Sequence, residues 1–315
     1  MVVENLGVLA MLVLLSAVVA AKEPSFLTVG NLINIAISAS IVAVAGFGMT
    51  FAIAIGGFDL SVGSVQGLAA CVTASLLGVV SMPAAVAGAL VVGLAVGIVN
   101  GLLIAKLRVP AFVATLGMLG VARGGALLYT NGQSVLIVGH DDFAALNSAK
   151  PLGLPLPLLI ALATLALLAV VLYRTPFGRH VCAIGGNRAA AVAAGIQVDR
   201  VTVAVFALVG VTAALSGVML ASQLMVVDGT LGAGFELRVI AVSVLGGTSL
   251  AGGSGNLVGA FLAALLLATI NASLNLLNVP GAYQYLAVGL LLIVALSLDT
   301  VRNRLAAAAA RGWSR

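Results

Sequence analysis

Ten apolar runs, most of them close to twenty residues long, follow one another along the chain with almost no charge inside them. They cover approximately residues 6–21, 33–56, 62–80, 84–105, 109–129, 157–173, 201–222, 236–250, 255–277 and 282–298. A bilayer crossing needs about 20 mostly apolar residues, and a helix satisfies all of its backbone polar groups within itself, as a crossing in lipid requires. Across 315 residues there are only 14 basic and 9 acidic side chains, and 62% of the chain is apolar. The charged fraction is 7%, against about 25% in an ordinary soluble domain. So few charges cannot cover a water-facing surface. A water-soluble enzyme, a secreted disulfide scaffold, a disordered chain and a nucleic-acid binder are excluded. The pattern predicts an all-α polytopic membrane protein of about ten transmembrane helices, one membrane domain over residues 1–300 with a tail at 301–315.

The charges that do occur set an orientation. Lys106 and Arg108 follow the fourth run, Arg174, Arg179, Arg188 and Arg200 follow the sixth, and Arg302, Arg304, Arg311 and Arg315 follow the tenth. All fall on one side if both termini are cytoplasmic, as the positive-inside rule expects. Lys22 and Lys150 then lie outside, in company with Asp141 and Asp142 in the external loop 130–156, while Arg123 and Arg238 fall within runs. The formal net charge of +5 therefore reports topology and not a nucleic-acid partner. The first run has no basic segment before it and is followed by Lys22 and Glu23, so it reads as a retained first span and not a signal peptide. The two cysteines, Cys71 in an apolar run and Cys182 in a basic loop, make neither a disulfide framework nor a metal site.

The inventory for chemistry is thin. His140 and His180 lie in different loops, no zinc-helix spacing or Gly-x-Ser-x-Gly elbow occurs, and no Gly-Lys-Ser/Thr is present. The glycine cluster 246–255 has no lysine, so any ATP that drives this protein binds on another chain. Gly93, Gly97 and Gly101 lie on one face of the fourth run, where a neighbouring helix can come close. Charges inside apolar runs are costly and face protein or water. Glu236 and Arg238 sit at the start of the eighth run, and Asp59 sits in a glycine-punctuated turn that suits a re-entrant or hairpin. Proton-coupled carriers keep several buried carboxylates, and this chain has few. That weighs against a secondary transporter, which stays the alternative of a different class.

The most distinctive polar segment runs from Arg174 to Arg200. Asn187 can cap a short helix, Arg188 to Ala194 are strong helix formers, and Gly195 can end it in the left-handed conformation. Such a helix with small side chains can dock in a partner's groove, whereas the plainer reading is a basic loop with one helical turn.

Several blocks, in order, resemble the ribose-type sugar permeases of bacterial ABC importers. They are Gly57-Phe-Asp-Leu-Ser-Val-Gly-Ser64; Arg108-Val-Pro-Ala-Phe-Val-Ala-Thr-Leu-Gly117 with Arg123-Gly and Tyr129-Thr-Asn-Gly132; and Phe177-Gly-Arg-His180 with Ala183-Ile-Gly-Gly-Asn187, Gly195-Ile and Val198-Asp. The last are Gly234-Phe-Glu-Leu-Arg-Val-Ile-Ala241, Leu245-Gly-Gly-Thr-Ser-Leu-Ala-Gly-Gly-Ser-Gly255 and Asn275-Leu-Leu-Asn-Val279. The likeness runs from about residue 24 to 300. Relative to the family, the N-terminus is short and lacks a basic leader, and Arg188-Ala-Ala-Ala-Val-Ala-Ala194 stands where an acidic residue is frequent near the helix start.

The resemblance implies a multi-pass subunit of the bacterial inner membrane with no catalytic residue, metal or cofactor of its own. ATP and Mg would sit on a separate cytoplasmic ATPase, a periplasmic binding protein would deliver ribose or a similar monosaccharide, and a second permease chain would complete the pathway. Within the coupling loop 174–200, the segment from Gly186 to Ile196 would be the coupling helix, with Gly185, Gly186, Asn187, Arg188, Ala190, Gly195 and Ile196 as its motif. Asp59, Ser61, Gly63, Arg123, Glu236, Gly246 and Gly247 would belong to the translocation or structural motifs. The pathway lining is expected to be small and apolar.

Overall fold

A computed structural model describes residues 2–283 together with 286, 289, 290 and 293. Twelve α-helices are described from end to end: α1 (Val2–Lys22), α2 (Val29–Ala54), α3 (Val62–Leu77), α4 (Met82–Ala105), α5 (Ala111–Tyr129), α6 (Asp141–Ser148), α7 (Leu156–Arg174), α8 (Pro176–Gly186), α9 (Arg188–Ala193), α10 (Val198–Leu224), α11 (Phe235–Leu245) and α12 (Leu257–Leu276). Seven of them, α1, α2, α4, α5, α7, α10 and α12, are long and apolar enough to cross a bilayer. The runs at 62–80 and 236–250 become shorter helices of 16 and 11 residues. Most of the run 282–298 and the tail 301–315 lie outside the described residues.

Contacts at the helix termini define two ends of the bundle. At one, Gly253 N–H donates to the Ala54 carbonyl (2.9 Å), Tyr173 Oη donates to the Gly255 carbonyl (3.2 Å), and Asn256 Nδ2 donates to Asn5 Oδ1 (2.7 Å). Lys106 pairs with Asp199 at 3.3 Å at the same end. This end gathers Lys106, Arg108, Arg174 and the α8–α9 segment, so these members of the basic cluster read from sequence share one surface, while Arg302, Arg304, Arg311 and Arg315 lie outside the described residues. The opposite end carries α6 and a two-residue antiparallel ladder, Val135–Leu136 with Val226–Val227. Ser222 Oγ closes it by donating to the Phe143 carbonyl at 2.6 Å.

The glycine face of α4 packs antiparallel on α10. A Cβ at Gly93 would meet the Gly210 carbonyl, one at Gly97 the Phe206 carbonyl, and one at Gly101 the Val203 backbone. In a lipid-facing bundle, helix association rests on such close packing, because lipid is as apolar as leucine. The most buried of the seven long helices, α2, places Phe47, Met49 and Phe51 in the core against α10, α11 and α12.

The basic loop holds more structure than one turn. Thr175 and Pro176 start α8, with Thr175 Oγ1 accepting from Gly178 N–H (3.4 Å) and proline at the first helical position, where it displaces no bonded N–H. Asn187 then caps α9 as expected, its Oδ1 accepting from Ala190 N–H at 3.0 Å. Gly195 follows with φ +79°.

Candidate functional site in the bundle interior

α11 is about 16 Å long at 1.5 Å per residue, roughly half of a 30 Å hydrocarbon core. The rest of that passage is the non-helical segment 225–234, which runs into the bundle along α3. Cys71 Sγ donates to the Asp228 carbonyl (3.4 Å) and a Cβ at Gly67 would meet the Leu231 carbonyl. Irregular backbone at membrane depth is tolerated only where protein or a water-lined cavity satisfies it. Here Arg123 of α5 does so: its Nη1 donates to the carbonyls of Gly229 (2.9 Å) and Leu231 (2.6 Å).

The same five-residue turn leads into both short helices. In Asp59-x-Ser61-x-Gly63, the Asp59 Oδ1 accepts from Ser61 N–H (2.8 Å) and Ser61 Oγ (2.5 Å). In Asp228-x-Thr230-x-Gly232, the Asp228 Oδ1 accepts from Thr230 N–H (2.6 Å) and Thr230 Oγ1 (2.5 Å). The two turns meet at their glycines, since a Cβ on Gly63 would strike the Gly232 carbonyl and one on Gly232 the Gly63 carbonyl. Only glycine allows this approach, and Gly232 also has φ +79°. The Glu236 carboxylate lies beside Gly63, in the first turn of α11 and against the first turn of α3. An anion there complements the positive ends of two helix dipoles.

Asp59 itself is 2% exposed. Asn100 of α4 donates through Nδ2 to Ser61 Oγ (3.0 Å) and to Asp59 Oδ2 (3.3 Å), tying this turn to α4. Asp228 is partly exposed.

The expected motif residues thus fall into separate places. Asp59, Ser61, Gly63 and Glu236 come together at the meeting of the short helices, with Arg123 bracing the segment beside them. Gly246 instead packs on Gly259 and Ala260 at the start of α12, and Gly247 turns the chain with φ +91°. Gly185 packs against Ala54 and Gly253, and Gly186 lies beside Gly253. Asn187, Arg188, Ala190 and Gly195 are exposed on the basic end, and Ile196 is half-buried.

A cavity of about 440 Å³ lies between α2, α12 and the inner ends of α10 and α11. Asn31, Asn34, Ser38, Gln66, Gln223, Arg238, Asn271 and Asn275 line it beside Ile35, Leu220, Phe235 and Leu267. This polar lining was not among the expectations drawn from the sequence. The signal was in the sequence: Asn31, Asn34 and Ser38 at i, i+3 and i+7 of α2, and Asn271 and Asn275 at i and i+4 of α12, each make one polar stripe on an apolar helix.

Residues 31–296 match the family described as branched-chain amino acid transport system / permease component. The chain belongs to this family. Among curated relatives it is similar to the Escherichia coli K12 ribose import permease protein RbsC, 40% identical over 304 residues that cover 95% of this chain and 94% of that one. The Bacillus subtilis 168 ribose import permease protein RbsC is 39% identical over 305 residues, covering 96% and 94%. The Azospirillum brasilense L-arabinose ABC transporter permease protein AraH is 35% identical over 302 residues, covering 96% and 89%. No solved structure matches. The likeness to ribose-type sugar permeases of ABC importers, carried by the sequence blocks, therefore extends over nearly the whole chain.

Proposed function

We propose that the chain is the membrane-spanning subunit of an ATP-driven importer for a neutral monosaccharide of the ribose type. The observation that carries this reading is the end-to-end similarity to ribose and arabinose permeases, with both lengths covered. The capped α9 on the basic surface supports it. Its exposed Arg188, Ala189 and Val192 (59% exposed) offer a small, partly apolar face to a cytoplasmic ATPase. ATP and Mg act on that partner, a periplasmic binding protein delivers the sugar, and a second permease chain, identical or paralogous, completes the transporter.

In this reading the basic end faces the cytoplasm. α1 starts there and α12 ends at the opposite face; the apolar run 282–298 has by its sequence the length for a return crossing, which would leave both termini cytoplasmic. The membrane is the bacterial inner membrane. Transport proceeds by alternating access, in which nucleotide changes the relative stability of two states that bind the solute differently.

Uptake of labelled monosaccharides into cells with and without this chain, with the proton gradient collapsed and ATP maintained, tests the proposal. Chain-dependent uptake that survives the collapse is expected. Uptake abolished while ATP remains high would establish a proton-coupled sugar carrier instead.

A further inference from the structure

We infer that the cavity between α2 and α12 is a transit site for the sugar inside the permease, a polyol-binding stretch of the pathway entered from the end opposite the basic surface. The inference rests on the import reading above. Asn34, Ser38 and Asn275 are exposed along helices otherwise fit for lipid. Polar side chains turned to hydrocarbon are costly, so this face borders water or protein and not lipid. At the cavity's inner limit stands Gln66, wholly buried. Its Nε2 donates to Ser216 Oγ at 2.8 Å, while its Oε1 has no partner among the described residues. Asn271 Oδ1, half-way along the α12 wall, is likewise without one. A buried acceptor without a donor is unfavourable, and a passing hydroxyl supplies that donor.

The lining also discriminates between solutes. Amides and a hydroxyl both donate and accept, which suits the adjacent hydroxyls of a sugar. The single cation is Arg238, and no aspartate or glutamate lies among the described lining residues. A zwitterionic amino acid would find a charged partner for its carboxylate and only neutral amide and hydroxyl oxygens for its ammonium. The volume falls within the range of small-molecule sites, about 300–1,000 Å³. Gln66 lies against Gly232, so the inner limit of the cavity is the contact between the two short helices. That contact is where the path must open for the sugar to continue.

The test modifies the wall after folding. In a Cys71→Ala, Cys182→Ala background, Ser38→Cys is assembled with the ATPase and binding protein in liposomes and then labelled with a bulky thiol reagent. Ribose import is expected to fall about tenfold while ATP hydrolysis stays within about twofold of the unlabelled protein, as for loss of about one good polar contact. Val121→Cys, on the exposed face of α5, is expected to import normally after the same labelling. A second variant, Asn271→Leu, is expected to lower ribose imported per ATP hydrolysed by about tenfold, and Asn271→Ser to restore most of it. Unchanged import by labelled Ser38→Cys, with an unchanged ratio in Asn271→Leu, overturns the transit site and leaves the import reading standing. Failure of the unmodified transporter to import any monosaccharide overturns the import reading and this inference with it.

Discussion

Asp59 and Asp228 make one and the same hydrogen-bonded turn, yet water reaches only the second. Asp59 accepts from the Ser61 N–H, the Ser61 hydroxyl and Asn100. Asp59→Ala strands these donors and should cost about 1–3 kcal/mol, read by thermal melting in detergent; an unchanged midpoint would contradict the role given to this turn. Arg123 is a brace in this account. Arg123→Leu strands the Gly229 and Leu231 carbonyls and should cost about 3 kcal/mol or more, two charge-assisted hydrogen bonds being lost. Arg123→Lys should retain part of it, as read by denaturant titration of the purified chain. The intramembrane position of Arg123 was plain in the sequence. Its partners were not, because carbonyls on a non-helical segment over a hundred positions away carry no residue signature.

Among elements, what was legible depended on period and length. Seven long helices and the α4 glycine face follow from hydropathy and four-residue spacing, and the face meets α10 as a close-packed seam. Gly97→Leu should destabilise the bundle by about 1–3 kcal/mol, since its Cβ meets a backbone carbonyl that cannot rotate away. Thermal unfolding reads this directly. The short helices α3 and α11 were harder to see. Their apolar runs look like full spans, and only the repeated Asp-x-Ser/Thr-x-Gly marks where regular helix gives way to a turn. α8 was signalled by Thr175-Pro176 but hidden within a charged loop. The reading of α9 from its cap proved sufficient to place that helix. Gly195 stands in open space with φ +79°, so Gly195→Val meets no clash and strains only the backbone, by about 1–2 kcal/mol. The expected outcome is ATP hydrolysis that continues while sugar import falls; import equal to the parent would remove α9 from the coupling path.

For the molecule as a whole, a polar cavity and a basic surface occupy opposite ends, with the Gly63–Gly232 contact of two short helices between them. Half-helices that meet within the membrane allow two arrangements of the interior without unravelling a long helix, and the surrounding long helices supply the rigid frame. Hydropathy alone located the frame. The cavity depended on five helices converging, which no single stretch of sequence displays.

The most direct measurement reconstitutes the purified chain with its ATPase and sugar-binding protein in liposomes and follows labelled ribose with and without ATP, an ionophore abolishing any proton gradient. Ribose is expected to accumulate only with ATP hydrolysis, this chain and the binding protein together, whether or not the ionophore is present. Accumulation by the chain alone along a proton gradient, with no response to ATP, would contradict the import reading.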